Sequence, residues 1–169
     1  MTNTHRKALI GFGSNKSWLG VDSHELVIRA ADALASIGTV TALSPLYRSP
    51  AWPDPAGPTY TNAVASLETS LSPEGVLAAL QAIEAGFGRV RFDDPALRYA
   101  PRTLDLDLLA MESEVRSSAD LTLPHPRMAE RDFVLLPLRD VSPGWIHPVT
   151  GASVEEMISA LPEVTAERL

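Results

Sequence analysis

The sequence predicts an α+β fold with a mostly antiparallel sheet. Short apolar segments typical of strands are separated by two longer segments in which apolar residues recur with a helical period. Their order along the chain is β-α-β-β-α-β, the split-βαβ pattern of ferredoxin-like α/β sandwiches. Extra strands and C-terminal helices are expected after this unit, and a length of 169 residues suits one domain spanning residues 1–169.

The first strand and the first helix are indicated by an apolar run followed by an amphipathic segment. Residues 7–12 predict the strand, and residues 13–15 predict a sharp turn because glycine and asparagine tolerate its backbone angles. Asp22 or Ser23 can cap a helix whose apolar face continues to a stop at Gly38.

Two further strands are predicted on either side of an irregular loop. Residues 39–47 form the second strand candidate, and residues 60–67 alternate enough to form the third. The loop at 49–58 contains four prolines and one glycine, which exclude regular structure. Trp52 in this loop is an aromatic residue with no regular element of its own to pack on.

The second helix and the fourth strand flank a long loop. Residues 72–74 have the sequence Ser-Pro-Glu, which favours a helix start, and this helix should end at Gly86 or Gly88. Residues 89–101 have no sustained period, so we expect a loop that is mobile without ligands. Residues 103–111 form a leucine-rich strand candidate.

Shorter elements are expected in the remainder of the chain. A turn near 112–113 should lead into a short strand at 114–116. Helices are predicted at 131–138 and at 154–161.

Composition excludes several classes of function. With 45% hydrophobic residues and a formal net charge of −7, the chain offers no general basic surface for nucleic acid. The absence of cysteine excludes disulfides, thiolate catalysis and cysteine-ligated zinc. No apolar segment approaches the roughly 20 residues that span a bilayer, and the run at 8–12 is too short for a signal peptide. We therefore expect a cytoplasmic protein without a membrane partner.

Two carboxylates interrupt the leucine-rich strand. Because strand side chains alternate between faces, Asp105 and Asp107 should share one face, opposite Leu104, Leu106 and Leu108. Burial and mutual repulsion disfavour two charges there unless a cation lies between them. Mg²⁺ prefers such oxygen ligands and completes its shell with water and phosphate oxygens. The alternative is that one aspartate caps a loop and the other is solvated at a sheet edge, and the tripeptide alone does not decide between them.

The residues before this strand are locally basic in an acidic chain. Arg89, Arg91, Arg98 and Arg102 fall within fourteen residues. The planar guanidinium group presents a fork of donors that matches phosphate oxygens. This cluster therefore predicts a binding site for a polyphosphate.

The glycines at 11 and 13 do not complete a known phosphate loop. Position 10 is isoleucine and Asn15 precedes Lys16, so the Walker A pattern fails. The dinucleotide fingerprint also fails, because its third glycine would fall on Lys16. A structural turn is the favoured interpretation, and any ATP would be held by arginine side chains and metal.

Short motifs spread over nearly the whole chain add a second line of reasoning. They are Ile10-Gly11-Phe12-Gly13-Ser14-Asn15, Tyr47-Arg48-Ser49-Pro50, Tyr60-Thr61-Asn62-Ala63, Leu67-Glu68-Thr69, Gln81-Ala82-Ile83-Glu84, Gly88-Arg89-Val90-Arg91, Pro101-Arg102-Thr103-Leu104-Asp105-Leu106-Asp107 and Leu123-Pro124-His125-Pro126 through to Phe133. In this order and spacing the series resembles the 6-hydroxymethyl-7,8-dihydropterin pyrophosphokinases of folate biosynthesis.

The resemblance implies a reaction and its participants. Pyrophosphate would pass from the co-substrate ATP to the pterin hydroxymethyl group, leaving AMP. Asp105 and Asp107 would hold two Mg²⁺ ions that bridge the triphosphate. The small molecules ATP and pterin would be the partners of a monomer.

The resemblance also assigns individual positions. Tyr60 and Phe133 would stack on the two faces of the pterin, and Asn62 would bind its edge. Leu108 and Thr122 would flank the adenine. The implied pterin-binding residues are Ser49, Pro50, Trp52, Tyr60, Asn62 and Phe133; the ATP-binding residues are Gln81, Glu84, Arg89, Arg91, Arg98, Arg102, Leu108, Thr122, His125 and Arg131; and the catalytic residues are Arg89, Arg91, Asp105 and Asp107.

Some positions depart from the residues common in the family. Phe92 stands where a basic residue is frequent, Tyr99 where tryptophan is frequent, and Pro126 where an aromatic is frequent. Trp52 also differs from the usual residue of the pterin-side loop. These departures concern closure of the 89–101 loop over ATP, which we expect to bring Arg91 to the phosphates.

Two other classes of function stay open at this point. A non-catalytic pterin- or nucleotide-binding relative would have no physical need for the two aspartates together with the arginines. A metal-dependent phosphohydrolase would not require Tyr60, Asn62 and Phe133. From the residues alone, a core position in its helix is the favoured interpretation of Phe133, whereas His125 between two prolines is expected in an extended loop.

Overall fold

The elements of the split-βαβ unit follow one another in the predicted order. Within residues 4–91 and 93–169, which the computed structural model describes, the chain forms eight strands and four α-helices. The strands are β1 Arg6–Ser14, β2 Thr39–Leu43, β3 Tyr47–Ser49, β4 Tyr60–Thr69, β5 Asp105–Met111, β6 Arg116–Ser117, β7 Thr122–Leu123 and β8 Glu167–Arg168. The helices are α1 Ser23–Ala33, α2 Pro73–Gly86, α3 Asp132–Val141 and α4 Val154–Ser159. Phe92 lies outside the described residues.

The main sheet has the strand order β5-β1-β4-β3-β8, and β2 pairs with the other end of β4. Every pairing in it is antiparallel among the described strands. β6 and β7 form a separate two-stranded ribbon. The α+β prediction with a ferredoxin-like strand order is confirmed. Among the described residues, no helix has the length and apolar character that crossing a membrane would require.

Helices cover both faces of the sheet. On one face, alternate residues of the central strands pack against α1 and α2; they include Ile10, Phe12, Ala65, Leu67, Leu106 and Leu108. On the other face, Leu9, Val64 and Leu109 pack with residues of α3 and α4. This second face is apolar only along part of the strands, and the remaining part carries the polar residues described below.

The helix starts are explained by side-chain caps. The Asp22 carboxylate accepts the Glu25 N–H at 3.0 Å and begins α1, and Ser72 accepts the Gly75 N–H at 3.1 Å and begins α2. Helix α2 ends at Gly86, as predicted. Helix α1 was expected to continue to Gly38 but ends at Ala33, and a single 3₁₀ turn follows it.

The predicted strand at 39–47 is wrong in one respect, because it is divided into β2 and β3. Pro45 has no N–H to donate to the ladder. The neighbouring Ser44 instead exchanges bonds with Val64, since the Ser44 N–H donates to the Val64 carbonyl and the Val64 N–H donates to the Ser44 hydroxyl, both at 2.9 Å. The interruption lets β3 meet a different part of β4.

Several boundaries in the second half also differ from the predictions. The strand predicted at 103–111 is β5, which begins at Asp105. The short strand expected at 114–116 is β6, which spans Arg116–Ser117. Helix α3 continues past residue 138 to Val141 although Pro137 lies inside it, and α4 stops at Ser159. Strands β7 and β8 have two residues each and were not predicted.

The close approach of the chain at Gly38 to β4 yields the first prediction. A Cβ atom on Gly38 would lie 2.3 Å from the Glu68 carbonyl oxygen, so Gly38→Ala should force the backbone apart and lower the free energy of unfolding by about 1–3 kcal/mol. Urea denaturation measures the change. Gly86→Ala is the matched control, because a Cβ there meets open space and helical alanine is favoured by roughly 0.5–1 kcal/mol. Equal stabilities of the two variants would contradict this account.

Candidate active site

Gly13 forms the floor of the candidate site. In the sheet it pairs with Asp105 on one side and with Asn62 on the other. A Cβ atom on Gly13 would lie 3.6 Å from Cδ1 of Tyr60, 3.7 Å from Oδ1 of Asn62 and 3.9 Å from Cβ of Asp105. The predicted turn at 13–15 is therefore wrong at its start, since β1 runs to Ser14. Because Gly13 has no side chain, it leaves a space here, and that space separates an acidic side from an amide and aromatic side.

The two aspartates of β5 have unequal surroundings. Asp105 is 3.2 Å from the guanidinium of Arg89 and 3.2 Å from that of Arg102. Among the described residues, Asp107 has no hydrogen bond or ion pair. It keeps some exposed surface, yet burial of its carboxylate and then the charge of Asp105 raise the pKa of Asp107 to about 7. As predicted, Leu106 points to the opposite face.

Glu84 of α2 connects the helix to the arginines and to β5. Its side chain is 2% exposed. Oε1 lies 2.7 Å from Nη2 of Arg91, and Oε2 accepts the Leu106 N–H at 2.9 Å. Arg89 approaches the same carboxylate at 3.6 Å. Burial raises the pKa of Glu84, while the Leu106 N–H opposes that rise. Gln81, one turn earlier on α2, is exposed, and within the described part of the chain it makes no hydrogen bond to the other predicted residues.

The four predicted arginines line one cavity of about 400 Å³. Arg89 is nearly buried and donates to the Leu104 carbonyl at 3.0 Å as well as to Asp105. Arg102 donates to the Arg98 carbonyl at 2.7 Å. Arg91 is the most exposed of those with ion pairs to Glu84 or Asp105, with 61% of its side chain open to solvent. The cluster predicted from the sequence is thus brought together in space.

A second cavity, of about 250 Å³, lies beside Asp107. Its lining includes the apolar residues Leu77, Leu108 and Leu121 and the polar residues Thr122 and His125. Leu108 and Thr122, the two residues expected to flank an adenine, therefore line the same cavity. Its apolar walls and polar end suit a flat base attached to a charged group.

His125 is held in one orientation next to this cavity. The backbone N–H of His125 donates to the Leu109 carbonyl at 2.8 Å, and the ring atom Nδ1 accepts the Arg127 backbone N–H at 3.2 Å. Burial and the positive charge of Arg131 lower the pKa of His125 to about 4. The ring is therefore neutral at pH 7. Because Nδ1 accepts a hydrogen bond, Nε2 carries the proton and can donate a hydrogen bond to a ligand.

The amide and aromatic side is built from β3, β4 and the start of α3. Asn62 is 3% exposed and donates from Nδ2 to the Ser49 hydroxyl at 2.8 Å. This bond leaves Oδ1 of Asn62 directed toward the floor at Gly13. Tyr60 is half-buried, and burial raises its pKa. Phe133 is partly buried, and the Arg131 guanidinium lies 5.6 Å from its ring centre.

The loops above the floor are in contact with each other. The rings of Trp52 and Tyr99 meet edge to face, with centroids 5.3 Å apart. The guanidinium of Arg127 lies 5.8 Å from the Trp52 ring, and that of Arg98 lies 5.4 Å from the Tyr99 ring. Pro50 is exposed at the start of the same loop. Two departures from the family pattern thus meet at one point.

Asn15 is a positioning residue that the sequence reasoning missed. It exchanges two bonds with Arg102, through its own N–H at 3.0 Å and its Oδ1 at 2.7 Å. Its Nδ2 donates to the Pro58 carbonyl at 3.2 Å. Asn15 therefore ties the end of β1 to the residues before β5 and to the 49–58 loop. The sequence signal was present in the Gly-Ser-Asn motif but was interpreted as a turn.

The comparisons with known proteins place the chain in one family. A model of the 7,8-dihydro-6-hydroxymethylpterin-pyrophosphokinase family matches residues 9–143. The chain belongs to this family. The matched range contains the acidic pair, the arginine cavity and the Asn62 side, so the resemblance predicted from the sequence is confirmed.

Individual relatives cover most of the chain. A 2-amino-4-hydroxy-6-hydroxymethyldihydropteridine pyrophosphokinase of Synechocystis sp. is 38% identical over 151 residues, which are 89% of this chain and 74% of the relative. One of Pseudomonas aeruginosa is 38% identical over 170 residues, covering 97% of each. A Plasmodium falciparum HPPK-DHPS crystal structure has a similar fold, with a TM-score of 0.69 and 13% identity over 92% of this chain, which spans 44% of the length of that structure.

The unequal surroundings of the aspartates predict a dependence of stability on pH. The folded-state pKa of Asp107, about 7, exceeds the unfolded value near 4, so the folded protein holds an extra proton between these limits. The contribution to stability is complete below about pH 4 and is lost as the pH rises to about 7. Asp107→Asn should therefore raise the free energy of unfolding at pH 8 by roughly 1–4 kcal/mol without divalent cations, and much less at pH 4.

Urea denaturation from pH 4 to pH 8 in a chelating buffer tests this prediction. Asp120→Asn, in the exposed turn between β6 and β7, is the matched control and should leave the profile unchanged. An Asp107→Asn variant that is less stable than the parent at pH 8 would contradict the proposed electrostatic penalty.

Proposed function

We propose that this chain transfers the pyrophosphoryl group of ATP to the hydroxymethyl group of 6-hydroxymethyl-7,8-dihydropterin in folate biosynthesis, giving the pterin diphosphate and AMP. The observation that carries the proposal is the position of Gly13, which joins the acidic pair and the Asn62 side in one open site within the family range. A two-substrate transfer requires such a junction, because both reacting groups must meet there.

Asp105 and Asp107 are the proposed ligands of two Mg²⁺ ions. The donor set fits this cation, since both groups are carboxylates and Asp107 has no partner among the described residues. No group of three acidic or histidine side chains is found in the described ranges, so water and ATP oxygens would complete the coordination. Bound magnesium would supply charge neutralisation on the triphosphate. Arg89 and Arg102 hold Asp105 in place for this task.

ATP would occupy both cavities. The adenine lies between Leu108 and Thr122 in the smaller cavity, and the phosphates extend past His125 toward the arginine cavity. Neutral His125 donates from Nε2, and Arg131 adds a positive charge nearby. Arg91 is exposed enough to leave Glu84 for a phosphate oxygen, whereas Arg89 keeps Nη1 on Asp105 and would offer its other N–H groups to the phosphates. Gln81 and Glu84 complete the proposed ATP side, with Glu84 acting through the arginines.

The pterin would bind above Gly13 between Tyr60 and Phe133. Stacking on the two rings excludes water and fixes the plane of the pterin. Oδ1 of Asn62 accepts from the N–H groups of the pterin edge, because Nδ2 is already committed to Ser49. Pro50 and Trp52 contribute the loop that closes this edge.

The chemical step requires little covalent work from the protein. The pterin hydroxyl oxygen forms a bond to the β-phosphorus of ATP, the bond from that phosphorus to the α,β-bridging oxygen breaks, and AMP leaves. The hydroxyl proton passes to solvent. Arg91 and Arg89 stabilise charge on the transferred group, and the floor and stacking residues align the two substrates.

The wider assignments accompany this proposal. Residues 1–169 act as a single pyrophosphokinase domain, monomeric and cytoplasmic, with small molecules as partners. The 89–101 loop closes over the substrates and carries Arg91 and Arg98 with it. A non-catalytic relative or a metal-dependent phosphohydrolase would need only one of the two sides that meet at Gly13.

The reaction itself is the next prediction. Protein, ATP, Mg²⁺ and the hydroxymethyl-dihydropterin together should form AMP and pterin diphosphate in equal amounts, as measured by chromatography. Asp105→Ala and Asp107→Ala should each lower kcat/KM by about a thousandfold or more, because alignment and charge neutralisation both depend on the metal. Mixtures without pterin, or with the hydroxyl replaced by hydrogen, are the controls. If these control mixtures formed AMP or ADP as fast as the complete mixture, the result would favour a hydrolase.

The floor predicts a second loss of activity. In Gly13→Val the added side chain should fill the space between Tyr60, Asn62 and Asp105, so kcat/KM should fall by about a hundredfold or more with both substrates. Thermal denaturation should show a native fold, because β-branched residues suit strands. Ile28→Val on the exposed side of α1 is a neutral control. Unchanged activity of a folded Gly13→Val variant would place the pterin elsewhere.

A further inference from the structure

The segment from Val164 to Leu169 lies beyond the residues matched by the family model. It contacts β3 and α3, two of the elements that carry the amide and aromatic side of the site. On one side, β8 pairs with β3, since Arg168 is opposite Tyr47 and Glu167 is opposite Arg48. The Leu169 N–H extends this pairing to the Leu46 carbonyl at 2.9 Å. The strand that β8 supports is the one that delivers Ser49 to Asn62.

On the other side, Asp132 fixes this segment to the start of α3. Asp132 is 9% exposed. Its Oδ2 accepts three hydrogen bonds, from the Thr165 N–H at 2.6 Å, the Thr165 hydroxyl at 3.2 Å and the Ala166 N–H at 2.8 Å. A buried carboxylate that accepts three donors is a strong and directional anchor. It does not serve the helix as a cap, because all three donors come from residues more than thirty positions away.

Apolar contacts complete the connection next to the proposed stacking ring. Ala166 is buried with Tyr47 of β3 and Leu136 of α3, and Phe133 and Ile158 pack against this cluster. Phe133 directly follows Asp132, so the backbone that orients its ring is the backbone that the carboxylate anchors. Arg131, which precedes Asp132, places its guanidinium 5.6 Å from the centre of the Phe133 ring.

We infer that Asp132 is a positioning residue for pterin binding, which acts by fastening the 164–169 segment between α3 and β3. Through this anchor the segment sets the distance between Phe133 and the Ser49–Asn62 pair. The inference rests on the proposed pterin role of Phe133. It assigns to residues outside the family range a part in substrate recognition, in addition to their part in stability.

The test separates recognition from stability by comparing two carboxylates of α3. Asp132→Ala should raise KM for the pterin, and the Kd for the pterin by fluorescence titration, by about tenfold, with KM for ATP within about twofold. Asp132→Asn keeps an oxygen acceptor and should recover most of the pterin affinity. Asp140→Ala is the matched control, since Asp140 accepts a hydrogen bond from Tyr47 of the same strand but lies two helical turns further along α3. It should lower Tm without changing KM for the pterin.

The outcomes distinguish this inference from the assignment on which it rests. Phe133→Leu should also raise KM for the pterin; if it does not, the stacking assignment is wrong and the inference falls with it. If Phe133→Leu raises KM and Asp132→Ala does not, only the inference is wrong. Equal rises in both substrate constants, or the same rise in Asp140→Ala, would indicate a general loss of structure and overturn it. Should Asp132→Ala not fold, Thr165→Val, which removes a single donor, must still raise KM for the pterin selectively.

Discussion

Repulsion between two carboxylates on one face of β5 is the constraint on which the site depends. Asp105 and Asp107 lie two residues apart on a strand whose other face is in the apolar core. Arg89 and Arg102 compensate Asp105, and Glu84 in turn compensates Arg89. Asp107 is left as the group whose charge is least stabilised, and burial raises its pKa. A cation beside the Asp107 carboxylate would relieve this penalty, in keeping with the proposed magnesium site, whereas a fully paired set of charges would gain little from one.

The sheet separates the charged residues of the site from the apolar residues that stabilise the fold. The face covered by α1 and α2 is continuously apolar across β1, β4 and β5. The opposite face changes along the strands from an apolar part under α3 and α4 to the glycine, amide and carboxylate positions. Because strand side chains alternate, neighbouring residues of β5 serve the core and the site in turn. A charged site can therefore be carried by strands that are firmly packed.

The sequence was sufficient wherever a local pattern determines the structure. The facing of Asp105 and Asp107 follows from strand periodicity, and the start of α2 follows from the Ser-Pro-Glu signal. It was insufficient where the partner is distant in the chain. Gly13 has the properties of a turn residue until Asp105 and Asn62 are placed beside it. The bonds of Asn15 to Arg102 and Pro58 cannot be predicted locally, because both partners are more than forty residues away. Strand β8 has two residues and owes its pairing to contacts with β3 and Asp132, so no local pattern could indicate it.

The edge-to-face contact of Trp52 and Tyr99 has a consequence for substrate exchange. A pair of this kind contributes about 0.5–1.5 kcal/mol, and the exposed cation–π contacts that flank it add comparable amounts. Together the three contacts amount to about 1.5–3.5 kcal/mol, which corresponds to a ratio of joined to separated loops between about ten and several hundred. With the proposed closure of the 89–101 loop, a contact of this size can break in every turnover, and strengthening it would slow the release of products.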